Sequence, residues 1–175
     1  MNIDIIRKRF IEYVKKYDLK KSNIMRKFHH SFRVMEYTKE ICESLNLNEE
    51  DTSLALVIGL LHDIGRFEQW NKYKTYYDSI SIDHGDLGAD ILEDFLEEDE
   101  NKHIILTAVK NHNKPSIEND LDERTLLFCK IVRDADKLDI IKEQCLVVTV
   151  VDDFIEDDIM DCFYNKKVIT TEIDN

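Results

Sequence analysis

Six side chains suited to holding a cation are spread along this chain as His30, the pair His62-Asp63, His84, His112 and Asp136. Imidazole nitrogen and carboxylate oxygen without thiolate suit Mn²⁺, Fe, Co²⁺, Ni²⁺ or Zn²⁺ better than Ca²⁺, which takes all-oxygen shells. The chemistry implied is that of a hydrolytic or oxygenase metal centre. A lone histidine on an apolar helix face is ordinarily a hydrogen-bonded core residue, so only the set as a whole points to a metal. Each position falls at the end, or on the inner face, of a different expected helix, and five converging helices would bring them to one point.

The elements that must position them are readable from apolar spacing. Ile3, Ile6, Phe10, Tyr13, Val14 and Tyr17 recur at helical intervals and predict a first amphipathic helix. His30, Val34, Tyr37, Ile41 and Leu45 continue such a stripe along Phe28 to Leu45, which turns His30 inward and leaves His29 about 100° away. Glu49-Glu50-Asp51 supply acid suited to a helix start, and LALVIGLLHD is apolar nearly all round, as in a helix enclosed by others. That run ends in His62-Asp63, a polar pair that costs free energy in such a place unless a partner satisfies it.

Residues 65–82 lack clean periodicity and read as an ordered loop, with a short helix within it as the alternative. Helices are expected at about 83–98, 101–112 and 122–138, with Asn113-Lys114-Pro115 breaking the chain between the last two. The β-branched run LVVTVV at 146–151 has no partner strand in view and is assigned to helix. All four glycines, 59, 65, 85 and 88, cluster between the buried helix and the helix after the loop, which suggests tight turns or close backbone approach.

Composition bounds what such a site serves. Four glycines, one proline, 43% hydrophobic and 35% charged residues are the balance of an all-α domain, expected here as one core over residues 1–175 with about six to eight helices. A net charge of −13 argues against adhesion to nucleic acid polymers or anionic membranes. It also means that a phosphate substrate needs a locally positive pocket, most simply one holding divalent cations. Cys42, Cys129, Cys145 and Cys162 form no CxxC pair and read as buried free thiols. No secretory h-region and no run of about 20 apolar residues is present, so a cytoplasmic location is the default.

The segments HSFRV (30–34), LLHDIGRFEQW (60–70), DHGDLGADIL (83–92), AVKNHN (108–113) and IVRDADKLD (131–139) resemble, in order, the successive motifs of the HD-domain superfamily of metal-dependent phosphohydrolases. A His-Asp dipeptide alone is weak; the ordered set, spread from about 28 to 139, is specific. The resemblance implies that His30, His62, Asp63 and Asp136 bind a first metal and that His84 and His112 mark a second, with Asp63 between them. The family phrase Ala-Asp-(Lys/Arg)-Leu selects Asp136 over Asp134, which is left as a group that orients a ligand.

What the resemblance implies about activity is hydrolysis of a small phosphorylated substrate, a nucleotide or related metabolite, by water activated at one or two divalent transition metals. Asp63 and Arg66 are the expected catalytic groups, Arg66 because it follows the His-Asp-Ile-Gly turn and a guanidinium grips phosphate bidentately. Arg33, Lys110, Lys114 and Lys137 are further candidate phosphate contacts. Trp70, Tyr73, Tyr76 and Tyr77 are weighted toward packing over base stacking. His103 and the acidic runs at 93–100 and 152–158 are read as solvated surface. Two alternatives stand beside this reading: an HD-fold di-iron oxygenase, and a non-catalytic sensor or interaction module braced by metal. A homodimer, and a longer parent protein beyond the ending VITTEIDN, are left open.

Overall fold

The computed structural model describes residues 2–151, with side chains through 143. Among them are seven α-helices and no strand: α1 (Ile3–Val14), α2 (Ser22–Ser44), α3 (Glu49–Leu61), α4 (Gly65–Tyr73), α5 (His84–Phe95), α6 (Lys102–Asn111) and α7 (Glu123–Val151). A single 3-10 turn, Asp78–Ile80, lies between α4 and α5. The all-α expectation holds, and residues 146–151 are helical as assigned. The chain divides into two compact units, Met1–Asp139 and Ile140–Asn175. Every residue discussed below as part of the site lies in the first unit. Cys145, Cys162 and the acidic run 152–158 lie outside the residues whose side chains are described.

Helix α3 is the axis of that unit. It opens on Asn48, whose side chain accepts from the Asp51 amide, with Glu49, Glu50 and Asp51 in its first turn against the positive end of the helix dipole. Leu54, Ala55, Val57, Ile58, Gly59, Leu60 and Leu61 are all buried. Helix α2 packs along α3 closely enough that a Cβ on Gly59 would stand 2.5 Å from Thr38 Oγ1. Helices α1, α2 and α4 meet in an aromatic cluster in which Phe10 lies 6.1 Å from Phe28 and 5.8 Å from Phe67 between ring centroids. Among the described residues, no helix is long and apolar enough to cross a membrane.

Within the span read as a loop with room for a short helix, residues 65–73 form α4, which ends where Lys74 enters the left-handed region at φ 56°. The helical period was hidden because the buried positions are a glycine, a phenylalanine and a glutamine, Gly65, Phe67 and Gln69. Gln69 is fully buried and its amide donates to Asp78 Oδ1, Ser81 Oγ and the Ile82 carbonyl at 2.8–3.0 Å, which ties the following loop to the helix. At Gly65 the requirement is close approach: a Cβ would collide with the His84 carbonyl and lie 2.8 Å from Gly88 N. No glycine has a positive φ, so the glycine cluster serves approach and not tight turns.

Candidate metal centre

Five elements deliver the candidate donors to one place. His30 comes from the middle of α2, His62 caps the C-terminus of α3 with Asp63 next in the chain, His84 opens α5, His112 caps α6, and Asp136 projects from α7. His84 is set in position by Asp83, the N-cap of α5, whose carboxylate accepts from the amides of Gly85 and Asp86 at 2.9 and 3.0 Å.

The four imidazoles share one orientation logic. Each Nδ1 is engaged outward: His30 with Asp139 Oδ2 at 2.7 Å, His84 with Asp78 Oδ2 at 2.6 Å, His62 with the Gly59 carbonyl at 2.7 Å, and His112 with the Val109 carbonyl at 2.6 Å. A carboxylate or carbonyl oxygen only accepts, so each Nδ1 donates and each Nε2 points inward. Inside, His30 and His62 Nε2 are 3.2 Å apart, and His84 and His112 Nε2 are 3.0 Å apart.

Asp63 divides between these pairs. Its Oδ2 lies 3.3 Å from His30 Nε2 and 3.7 Å from His62 Nε2, while its Oδ1 lies 3.5 Å from both His84 Nε2 and His112 Nε2. Asp136 Oδ1 adds a carboxylate to the first pair, 3.0 Å from His30 and 3.5 Å from His62. His30, His62 and Asp136 form one group of close ligand atoms, and His62, Asp63 and His112 another. Four inward Nε2 atoms and two carboxylates crowded into a buried volume need protons or a metal cation among them to be satisfied. The donor set therefore fits a divalent metal.

The electrostatics express the same crowding. Burial drives the His30 pKa down, but hydrogen bonds to Asp136, Asp139 and Asp63 outweigh it and lift the value to about 10. Burial lowers His62, and it lowers His84 to about 4 against the opposing pull of Asp78. Asp63 and Asp136 lie below the usual carboxylate range despite burial, Asp63 through Lys27 and His62, Asp136 through His30 and His62.

The outer partners are where sequence reasoning fell short. Asp134, expected to orient a ligand, is exposed; that position beside His30 belongs to Asp139, which is buried and gripped by Arg33 through Nε at 2.7 Å and Nη2 at 2.8 Å. Arg66, expected on phosphate, donates from Nη1 to Gln69 Oε1, the Tyr76 carbonyl and Asp78 Oδ1 at 2.7–3.0 Å, which makes it the counterpart of Arg33 on the His84 side. Lys27, absent from the expected contacts, places Nζ 2.7 Å from Asp63 Oδ2. Two of these were findable: Lys27 precedes His30 by three residues and Asp139 follows Asp136 by three, the spacing that stacks side chains on one helix face.

The remaining candidates are dispersed. Lys110 and Lys137 are exposed, and Lys114 pairs with Asp83 and Asp86. His103 is exposed as expected, and His29, turned away from His30, is exposed too. Trp70 and Tyr76 pack ring to ring at 5.0 Å, while Tyr73 and Tyr77 are exposed. Cys42 and Cys129 are buried free thiols, as expected.

A sequence model of the HD domain matches residues 28–141, well over half of the chain. The chain belongs to the HD-domain family. The matched span contains all the donors above and the outer residues Arg33, Arg66, Asp78 and Asp139, while Lys27 stands just before it. HD domains bind divalent metals and act chiefly as metal-dependent phosphohydrolases, in agreement with the donor set and its burial. No curated protein and no solved structure matches the chain.

Proposed function

We propose that this HD-domain chain is a phosphohydrolase that cleaves a phosphomonoester or phosphodiester bond in a small molecule, a nucleotide or related metabolite. His30, His62, Asp63 and Asp136 would hold a first divalent ion, and His84 and His112 with the other oxygen of Asp63 a second. The observation that carries the reading is that four imidazoles, each locked outward through Nδ1, converge through Nε2 on the two oxygens of one buried aspartate. When bound, such ions acidify water and offset charge on the phosphoryl oxygens.

The chain's own residues supply order. Asp139 with Arg33, and Asp78 with Arg66, fix the ring planes of His30 and His84, so that their donor atoms keep their aim. The buried helix termini around His62 and His112 keep bulk water from competing for the donors. A thiol nucleophile is disfavoured among the described residues, because burial pushes Cys42 and Cys129 up to about 11 and leaves little thiolate. Water is the nucleophile consistent with the site.

The test is metal analysis of protein purified without added metal, followed by phosphate release from mono-, di- and cyclic nucleotides with Mn²⁺ or Co²⁺. Bound transition metal and phosphate release abolished in His62→Ala and Asp63→Ala are expected. Full activity in the double variant, or oxygen uptake by iron-loaded protein with no phosphate release from any substrate, would overturn the proposal.

A further inference from the structure

The groups that reach solvent beside the cluster define its approach. The side chains of His62, Asp63 and His30 are 0%, 2% and 3% exposed, whereas Lys27 and Asp136 are 13% and 17% exposed. Arg66 and Asp78 also reach the surface, on the His84 side. A phosphate arriving over these four meets two carboxylates, which repel it, and two cations. Of the cations, Arg66 has its Nη1 committed to three acceptors that hold Asp78 and the loop in place. Lys27 has its ammonium on Asp63 Oδ2 at 2.7 Å, with the Tyr76 ring centroid 5.8 Å away.

That lysine pairing is exchangeable on physical grounds. Lysine is a compact charge with three rotatable donors on a four-carbon stem, so it changes partner with little reorganisation. The carboxylate that holds it is the one proposed to face both ions; sharing its charge with them weakens its pull on the ammonium. The surroundings retain positive character in a chain of net charge −13, since Arg26, Lys27 and Arg66 all stand within 6.0 Å of the Tyr76 ring.

We propose that Lys27 is the side chain that binds the substrate's phosphate, exchanging Asp63 for a non-bridging phosphate oxygen at the open edge of the cluster. The assignment rests on the phosphohydrolase reading and names a residue where that reading left the phosphate contact open. Arg66 is then a positioning residue that acts through Asp78 and through Asp63, whose Oδ1 lies 3.5 Å from its Nε. As a point charge Lys27 holds an oxygen without dictating the rest of the substrate, so its contribution falls on binding of the phosphate group itself.

The test uses the full chain loaded with Mn²⁺, inorganic phosphate as the probe, and the variants Lys27→Met and Lys27→Arg. Lys27→Met should weaken phosphate binding in calorimetry by about tenfold or more, the size of a lost charge-assisted hydrogen bond. It should raise KM more than it lowers kcat, while Mn²⁺ content stays at or above that of the wild type. Lys27→Arg should recover most of the phosphate affinity, which a merely structural lysine would not require. If Lys27→Met loses its fold, Lys27→Gln serves as the neutral variant. Wild-type phosphate affinity in the folded neutral variant overturns the lysine assignment alone. A Mn²⁺-loaded wild type that neither binds phosphate nor releases it overturns the phosphohydrolase reading, and the lysine assignment with it.

Discussion

His30 and His84 each donate from Nδ1 to a carboxylate that an arginine holds in turn, yet the two carboxylates belong to different kinds of structure. Asp139 lies on α7, 1% exposed, and reaches across 109 positions in the chain to meet His30. Asp78 lies in the short 3-10 turn, 29% exposed, six positions before His84. The first support is made by packing two distant helices; the second by a local loop tied down through Gln69 and Arg66. A buried support has few ways to relax and few competing waters, whereas a loop support relaxes and rehydrates. On the proposed two-ion reading, the His30 end should therefore be the tighter subsite and the His84 end the adjustable one.

Breaking the buried support is the strongest test of that difference. Asp139→Asn should weaken the tighter metal equivalent by roughly 10–100-fold, the range for an outer partner of a metal-bound histidine, and isothermal titration with Mn²⁺ measures it. Equal weakening of both equivalents would erase the distinction between the ends. Gly65→Ala attacks the other end through backbone, because the added Cβ meets the His84 carbonyl and Gly88 N. It should lower stability by about 1–3 kcal/mol in urea unfolding and cost the weaker equivalent. Asp78→Asn removes only the exposed carboxylate and should weaken that same equivalent by about tenfold, near the low end of the range for outer partners. A larger effect than Asp139→Asn would reverse the ranking of the ends. The smallest effect sharpens the comparison as a control: Asn48→Ala, at the far end of α3, should cost about 1 kcal/mol of stability through the lost cap and leave both equivalents unchanged.

The degree to which the site was legible follows the range of the interactions. His30 was readable because its register with Val34, Tyr37 and Ile41 turns it inward, and it is buried. His62-Asp63 was readable as a polar pair ending an apolar run, and α3 ends there. Asp136 was chosen over Asp134 from the family phrase, and Asp134 is the exposed member. The bounds of α4 were not readable, because its inner face is built from a glycine and a glutamine as much as from Phe67, and periodicity registers only apolar repeats. Asp139 and Arg66 were misread or passed over for a related reason: a charged side chain in sequence looks alike whether it will face water, a phosphate or a buried histidine.

By itself, the sequence determined the helical class, the order of the donors and their chemical type, because helix periodicity and ligand identity are local properties of the chain. Only the tertiary structure decided which oxygen of Asp63 faces which histidine pair, and which charged residues brace the rings. It also placed Lys27 at the open edge. Those choices depend on side chains from α2, α3, α5, α6 and α7 meeting in one buried volume, where each charge is settled by neighbours far away in the chain.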